Sequence, residues 1–357
     1  GTVARWVREA GPWTLHPNLP RPLAMDKNQA VWFADGANVV VLRDGQFQQL
    51  PWQRYFTVNQ SGTAVGLSLD TGRLVVTNFG ASAVYPIADL QLDHVESVHA
   101  TAGDAFWLVG TDVKGERTIA YLSPTETRLI PPAEFFGKHI SSVTVDPVQG
   151  LWIVAQLRDS TKFELGFLAN SNVLWRTGER ALPPLMYPGL TLGAGASWIR
   201  GYAALYHGPL AATGPWEQVT AFPDTSFEGA LGNTNEVLFN FSGGRAGKPG
   251  CALYSRAGWK LAYGDYTRMW AGAEGRVYLA GRGGCYLRRE SGTLELEFLP
   301  LPMDSFVSAI APGHNGTLWV GTAEGVLQYH PSPMPPETSI ESLEAEVRGD
   351  GLLHVAF

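Results

Sequence analysis

Apolar residues in this chain occur in short runs, and glycine, proline, asparagine or aspartate separates each run from the next. The pattern is clearest in the segment 315–329, which reads NGTLWVGTAEGVLQY. Such a segment predicts a tight turn, a strand with Trp319 directed into a core, a second turn and a second strand. No stretch of a dozen residues has a convincing helical period, so the pattern predicts antiparallel strands throughout the chain.

The same segment recurs in degenerate form along the chain, with one large apolar residue at a matching position in each copy. These anchor residues are Trp32, Val65, Trp107, Trp152, Trp198, Leu238, Tyr278 and Trp319. Their spacing of 33 to 46 residues agrees with a four-stranded propeller blade, whose repeat is about 40–50 residues long. We therefore predict an all-β propeller of eight four-stranded blades, with the anchors in the core between blades. Seven blades are the alternative, because the unit around Val65 has no aromatic anchor and could be a loop insertion.

The two ends of the chain carry complementary parts of one blade. Residues 11–20 read GPWTLHPNLP, which looks like the fourth strand and exit of a blade, whereas the unit around Trp319 stops after its third strand. We expect the N-terminal strand to complete the last blade, because this pairing removes the exposed strand edges at the seam of the ring. The predicted propeller domain covers residues 1–331, and residues 332–357 form a C-terminal extension.

The composition supports this fold and narrows the function. With 41 glycines, 24 prolines, 45% hydrophobic and 17% charged residues, the chain is a turn-rich all-β protein with ample core. Its net charge of −7, without a basic cluster, argues against nucleic acid as a partner. No apolar run is long enough for a membrane span. The chain begins at Gly1 without a signal peptide, so we expect that a targeting segment has been removed.

The two cysteines, Cys251 and Cys285, each follow a glycine at similar places in neighbouring units. Packed sheets lie about 10 Å apart, whereas a disulfide needs Cα atoms within roughly 7 Å of each other. We therefore predict two free thiols packed between blades, which do not identify the redox compartment.

The segment 315–329 resembles the two-component-regulator propeller repeat, which is found in the extracytoplasmic sensor regions of bacterial hybrid two-component systems. Residues 150–154 and 28–33 resemble it less closely. A second resemblance lies in the C-terminal extension. There, PPETSI at 335–340 and GDGLLHVAF at 349–357 are similar to the opening strands of the immunoglobulin-like module that commonly follows those propellers. The extension is too short to close such a domain, which needs about 100 residues.

This resemblance implies a periplasmic or extracytoplasmic sensor domain that binds a ligand and catalyses no reaction. Its ligand would be a small molecule or an oligosaccharide, with carbohydrate-derived signals as the usual class. The resemblance further implies a membrane anchor and a kinase module outside this sequence, and a homodimer formed through a neighbouring module. It implies no cofactor.

Two groups of polar residues are candidates for ligand binding. Arg268 and Trp270 fall in the predicted innermost strand of a late blade, where strand alternation places both on one face, toward the central channel. An aromatic ring beside a cation suits a sugar or a carboxylate, and a structural cation–π pair is the alternative. Arg200 and His207 bring a cation and an imidazole into another blade, where the alternative is an exposed strand surface.

We predict no metal site and no catalytic residue. His99, His139 and His314 belong to different units and lack the short spacing of metal ligands. A glycan-active propeller enzyme is one alternative, although glycoside hydrolysis requires two carboxylates about 5–10 Å apart and no pair of acids stands out. A free-standing protein-interaction propeller is the other alternative, but the signatures of WD40 and kelch repeats are missing from the sequence.

Overall fold

Eight four-stranded antiparallel sheets follow one another along the chain in the computed structural model of this protein. In seven of them the strands lie side by side in sequence order, as in the blades of a β-propeller. The structure describes residues 13–330 except 27, 36–37, 60–61, 69–70, 78–81, 102, 131, 136, 147–149, 159, 170–171, 177–187, 202, 210–215, 223–224, 244–247, 273–274, 282–283, 304 and 314–315, together with residues 344–347 and 353–356. The predicted eight-bladed fold is confirmed.

One strand precedes the first blade, and the next sixteen strands form blades 1–4. The first strand is β1 (Trp13–His16). Blade 1 contains β2 (Pro22–Met25), β3 (Val31–Asp35), β4 (Asn38–Arg43) and β5 (Gln46–Leu50). Blade 2 contains β6 (Trp52–Val58), β7 (Ala64–Ser68), β8 (Leu74–Thr77) and β9 (Ser82–Tyr85). Blade 3 contains β10 (His94–Ala100), β11 (Phe106–Thr111), β12 (Arg117–Leu122) and β13 (Thr127–Ile130). Blade 4 contains β14 (Lys138–Val145), β15 (Leu151–Leu157), β16 (Phe163–Ala169) and β17 (Asn172–Arg176).

Blades 5–8 repeat this arrangement, and two short 3-10 helices lie before blades 3 and 4, at Ile87–Leu90 and Pro132–Phe135. Blade 5 contains β18 (Gly189–Gly193), β19 (Ala196–Gly201), β20 (Ala204–Pro209) and β21 (Glu217–Gln218). Blade 6 contains β22 (Thr225–Gly232), β23 (Glu236–Gly243), β24 (Gly250–Ser255) and β25 (Gly258–Tyr263). Blade 7 contains β26 (Arg268–Ala271), β27 (Val277–Gly281), β28 (Gly284–Arg288) and β29 (Glu297–Pro300). Blade 8 contains β30 (Ala309–Pro312), β31 (Leu318–Gly321) and β32 (Val326–Tyr329), together with β1.

The N-terminal strand closes the ring, as predicted. Strand β1 pairs antiparallel with β32 along its whole length, from Trp13 opposite Tyr329 to His16 opposite Val326. The His16 ring nitrogen Nε2 also lies 3.2 Å from Oε1 of Gln328. Blade 8 therefore receives its outermost strand from the other end of the chain, which leaves no unpaired seam between the first and last blades.

The anchor residues lie on the second strand of each blade and fill the core between neighbouring sheets. Trp32, Trp107, Trp198 and Trp319 are each at most 1% exposed. A buried tryptophan removes about 150–250 Å² from water, which corresponds to roughly 4–6 kcal/mol as an upper estimate. The recurrence of a large ring at this position in six of the eight blades thus supplies much of the apolar core that holds the sheets together.

The second blade is complete, which excludes the seven-bladed alternative. Its anchor Val65 is fully buried in β7. Gly66 follows, and a Cβ at this position would lie 2.3 Å from the ring of Trp52. Trp52 comes from the inner strand β6 and stacks on Trp32, with ring centroids 5.8 Å apart. Trp52 therefore fills the core between blades 1 and 2, whereas Val65 belongs to the core between blades 2 and 3, in a cluster with Phe106.

Both cysteines are free and buried, as predicted. Cys251 on β24 belongs to an apolar cluster with Leu279, whereas Cys285 on β28 belongs to a separate cluster with Leu318. The two thiols occupy the third strands of neighbouring blades and pack into different inter-blade cores.

The C-terminal extension contains a two-stranded antiparallel hairpin of β33 (Glu344–Val347) and β34 (Leu353–Ala356). The assignment of this hairpin to an immunoglobulin-like module, and the domain boundary at residue 331, stay predictions. No helix in the described part of the chain has the length and apolar character needed to cross a bilayer.

Candidate functional site

A cavity of about 390 Å³ opens on the inner strands at one side of the ring. The first strands of consecutive blades contact one another here, β22 with β26, β26 with β30 and β30 with β2. Residues from these four strands, from the segments that lead into them and from the second strands β19 and β23 form the walls. Small-molecule sites have volumes of about 300–1,000 Å³. We call this space the axial cavity; its polar and aromatic lining includes Arg21, Arg200, Asn240, Thr267, Arg268 and Trp270.

Both candidate residues of β26 line the axial cavity. Arg268 is exposed, and its Nη1 donates a hydrogen bond of 3.0 Å to the carbonyl oxygen of Ser308, which precedes β30. Trp270 follows two residues later and is half-buried against the apolar cluster shared by blades 7 and 8. The backbone contact orients the guanidinium of Arg268 at the seam between these blades, and its other donors remain available to a ligand.

Arg200, the candidate from β19, reaches the same cavity from blade 5. Its Nη1 donates to the carbonyl oxygens of Phe227 at 3.4 Å and Glu228 at 2.9 Å, where a β-bulge interrupts the inner strand β22. Burial lowers the pKa of Arg200, but an arginine side chain stays protonated at neutral pH. Its Nε is buried and has no hydrogen-bond partner among the described residues.

Asn240 and Thr267 contribute two further buried polar atoms that the sequence interpretation missed. Nδ2 of Asn240 donates to the carbonyl oxygens of Tyr266 and Thr267, at 3.4 and 3.1 Å. Oδ1 of Asn240 and Oγ1 of Thr267 have no hydrogen-bond partner in the described part of the chain. Asn240 is only 1% exposed. Three unsatisfied polar atoms, counting Nε of Arg200, therefore belong to residues that line one cavity.

Arg200 and Asn240 occupy the same place in neighbouring blades, two residues after the anchor. Each lies opposite a glycine on the first strand of its blade, Gly189 for Arg200 and Gly229 for Asn240. A Cβ on Gly189 would lie 2.7 Å from the guanidinium carbon, and a Cβ on Gly229 would lie 2.5 Å from Oδ1 of Asn240. A polar residue two positions after an anchor, facing a glycine, is the sequence signal that could have identified Asn240.

His207 does not line the axial cavity. It lies on β20, the third strand of blade 5, directly opposite Trp198 and away from the inner strands. Its ring stacks at a tilt on Trp198 with centroids 5.3 Å apart, and its Nε2 lies 3.5 Å from a carboxylate oxygen of Glu217 on the outermost strand. The structure thus brings together three of the four candidate residues and places His207 on a different surface.

His99 and His139, two of the histidines considered as metal ligands, lie in different blades. Nε2 of His99 lies 3.0 Å from the hydroxyl of Ser97, and burial lowers the pKa of His99, so its ring is neutral at pH 7. His139 is exposed on β14, and His314 lies outside the described residues. In the part of the chain that the structure describes, no three His, Cys, Asp or Glu side chains form a group able to hold a metal ion.

The lining of the axial cavity is cationic. Arg21, Arg200 and Arg268 all contribute to it, and its described lining residues include no aspartate or glutamate. The chain as a whole carries a net charge of −7, so the arginines form a local positive region on an acidic protein. A concave, cationic site of this kind attracts and orients anionic groups.

Comparisons with known proteins show the fold. No protein-family model and no curated protein matches the chain. Among solved structures, the dihydro-heme d1 dehydrogenase NirN matches with a TM-score of 0.54 and 12% identity, over 87% of this chain and 73% of that one. The β-propeller domain of the Trilobed protease from Pyrococcus furiosus matches with a TM-score of 0.50 and 11% identity, over 88% of this chain and 95% of that one.

A further structure similar to this chain is the extracellular domain of the one-component system BT4673 from B. thetaiotaomicron. The TM-score is 0.41 at 12% identity, and the match covers 88% of this chain and 51% of that one. At identities this low, the two matches with TM-scores of 0.50 and above show a shared fold alone.

Proposed function

We propose that this chain is a non-catalytic, ligand-binding propeller of a bacterial signalling protein and that it recognises a carbohydrate-type signal. The observation that carries the proposal is the axial cavity, whose lining residues Arg200, Asn240 and Thr267 each contain a buried polar atom without a partner among the described residues. Unsatisfied buried polar atoms each cost about 1–3 kcal/mol. A bound ligand that hydrogen-bonds to these atoms recovers this energy.

The mixture of groups in the axial cavity suits a sugar. Trp270 contributes an aromatic surface and the arginines contribute several donors. Oδ1 of Asn240 is an acceptor, and the hydroxyl of Thr267 both donates and accepts. A sugar ring has apolar C–H faces that pack on aromatic rings and hydroxyls that donate and accept. The site therefore complements a polar ring molecule better than a purely apolar one.

Binding is favoured over glycoside hydrolysis by the chemistry of the lining. Hydrolysis of a glycosidic bond requires two carboxyl groups about 5–10 Å apart on either side of the bond. The described lining residues of the axial cavity supply arginines, an amide, hydroxyls and apolar groups, but no carboxyl group. We therefore place the function of this cavity in recognition.

The signalling part of the proposal rests on the resemblance of residues 315–329 to the two-component-regulator propeller repeat and on the C-terminal extension. In this account the domain is extracytoplasmic or periplasmic. Ligand capture at the axial cavity would be relayed through the extension toward a membrane-anchored region, with a homodimer formed by a neighbouring module.

The test is isothermal titration calorimetry of the chain against a panel of neutral and acidic oligosaccharides. We expect saturable binding of at least one of them, and Arg268→Gln should weaken it about tenfold, because hydrogen bonds to a charged group contribute about 1.5–3 kcal/mol. Mass spectrometry of the same mixtures should show intact sugar. Cleavage of the sugar, or the absence of binding by every member of the panel, would contradict the proposal.

Arg54→Gln is the matched control. Arg54 lies on the inner strand β6 and also donates to carbonyl oxygens of the next blade, at 3.5 Å to Val95 and 3.0 Å to Glu96. It makes the same kind of inter-blade contact as Arg268 but does not line the axial cavity. Equal loss of affinity in both variants would show that the effect is structural and that the cavity is not the binding site.

A further inference from the structure

We propose that the ligand of the axial cavity is a sugar unit that carries a carboxylate, as in a uronic acid, and that Arg21, Arg200 and Arg268 bind this carboxylate. The inference rests on the proposed function, since it specifies the chemistry of the same ligand. It follows from the charge of the lining, from the hydrogen bonds already formed within the protein and from the polar atoms left without partners.

The charge of the lining favours an anion. Three arginines line one cavity whose described lining contains no acidic side chain. Placing like charges together is unfavourable, and a negatively charged ligand removes that repulsion. Because the protein carries seven more acidic than basic side chains, the cluster is a local exception to its overall charge.

Two of the three arginines are held in place by the backbone and still have donors to offer. Arg268 and Arg200 each direct Nη1 to carbonyl oxygens of the next blade. A guanidinium carries five N–H donors in a rigid, planar fork that matches the two oxygens of a carboxylate. Nε of Arg200 is buried without a partner among the described residues, so it is the donor that most needs a ligand acceptor.

The remaining unsatisfied atoms call for a hydrogen-bond donor as well as an anion. Oδ1 of Asn240 only accepts hydrogen bonds, and the buried side chain is 1% exposed. Acetate and sulfate have no donor for this oxygen, whereas the phosphate ions present at neutral pH carry one or two hydroxyl donors but no ring to pack on Trp270. A ligand that satisfies both Nε of Arg200 and Oδ1 of Asn240 must carry an anionic acceptor and a hydroxyl or amide donor. An acidic sugar carries both within one unit, and its ring can pack on Trp270.

The experiment compares acidic oligosaccharides with their carboxyl-reduced counterparts, in which each carboxylate has become a neutral hydroxymethyl group. The probes are trimers of galacturonate, mannuronate and glucuronate, measured by calorimetry with the full chain. We expect at least one acidic trimer to bind at least tenfold more tightly than its reduced counterpart. The variants Arg21→Gln and Arg268→Gln should weaken binding of the acidic trimer about tenfold and should weaken binding of the reduced trimer less.

Each other outcome overturns a defined part of the account. If a reduced trimer binds as tightly as the acidic one, the carboxylate inference fails and the proposed sugar-binding function stands. If a sulfated trimer binds more tightly than every uronate trimer, the anionic group is not a carboxylate. If acetate or inorganic phosphate alone binds as well as a trimer, the ligand is not a sugar. If no saccharide binds, the inference and the proposed function both fail.

Discussion

Leu15, in the first strand of the chain, lies directly opposite Leu327, in the third strand of the last blade. The closure of the ring thus depends on contacts between residues at opposite ends of the propeller. Gly325 lies at this junction, in the turn before β32, with φ of 137°. A Cβ on Gly325 would lie 2.7 Å from Cα of Pro17 and 2.8 Å from the carbonyl oxygen of His16. Any larger residue here would push the N-terminal strand away.

Gly325→Ala should therefore destabilise the whole propeller. We expect a loss of about 2–5 kcal/mol in the free energy of unfolding, from backbone strain and from the displaced strand. Gly115→Ala is the control, because Gly115 occupies the corresponding turn of blade 3 with φ of 78°, and a Cβ there would meet no atom within 4 Å. Gly115→Ala should lower the free energy of unfolding by only about 1–2 kcal/mol. Equal costs in denaturant titrations would show that β1 does not hold the ring closed.

The buried ion pair between Glu236 and Arg288 should make the free energy of unfolding depend on pH in the acidic range. The pair joins blades 6 and 7, and both side chains are at most 3% exposed. Burial alone would raise the pKa of Glu236, but hydrogen bonds from Arg288 and the amide of Gly292 outweigh it and lower the pKa below its ordinary value. Because the pKa of Glu236 is lower in the folded state than in the unfolded state, its ionised form stabilises the fold at pH values above the ordinary pKa of a glutamate. This stabilisation is lost as the pH falls through the pKa of Glu236 in the folded state.

Glu236→Gln should remove about 3–5 kcal/mol at neutral pH, because it leaves the charge of Arg288 buried without its partner. The variant should also lose less stability than the wild type below about pH 4.5. Glu297→Gln, which removes an exposed pair with Arg289, should change stability by less than about 1 kcal/mol. Urea titrations over a range of pH measure both effects, and parallel curves for wild type and Glu236→Gln would contradict the assignment.

Thr267→Val should weaken ligand binding without weakening the fold. Oγ1 of Thr267 has no partner among the described residues, so its replacement by a methyl group leaves no protein atom unsatisfied. We expect affinity to fall about twofold to tenfold and stability to stay within about 0.5 kcal/mol or to rise. Thr118→Val is the contrast, because Oγ1 of Thr118 donates a hydrogen bond of 3.0 Å to the carbonyl oxygen of Ile130. That variant should lose about 1–3 kcal/mol of stability and keep its affinity.

The two cysteines should be unreactive in the folded protein. Burial raises the pKa of Cys251 and of Cys285 to about 12, so almost no thiolate exists at neutral pH. We expect no rapid reaction with a thiol-specific reagent in native buffer and two equivalents of reaction after unfolding. Fast labelling of the native protein would show that one of the inter-blade cores opens readily.

The blade architecture could be predicted from the sequence, because the repeat places one anchor residue at the same position in the core of each blade. Trp198 and Trp319 show this directly, since both lie on second strands and are 1% exposed. The stacking of Trp52 on Trp32 was not predictable, because these residues lie in different blades and Trp52 packs over Gly66 on the neighbouring strand.

Only part of the candidate site could be predicted from the sequence. Strand alternation was sufficient to place Arg268 and Trp270 together, since both lie on one short strand. Asn240 was missed because its role arises from contacts across two blades. His207 was grouped with Arg200 by proximity in sequence, yet the hairpin register places it opposite Trp198, away from the inner strands.

The most direct test of the central claim is a crystal structure of the chain bound to the acidic oligosaccharide of highest affinity. The account predicts a sugar unit in the axial cavity, with its carboxylate within hydrogen-bonding distance of Arg200 or Arg268 and a hydroxyl on Oδ1 of Asn240. A sugar bound at another surface, with the axial cavity holding only water, would contradict it.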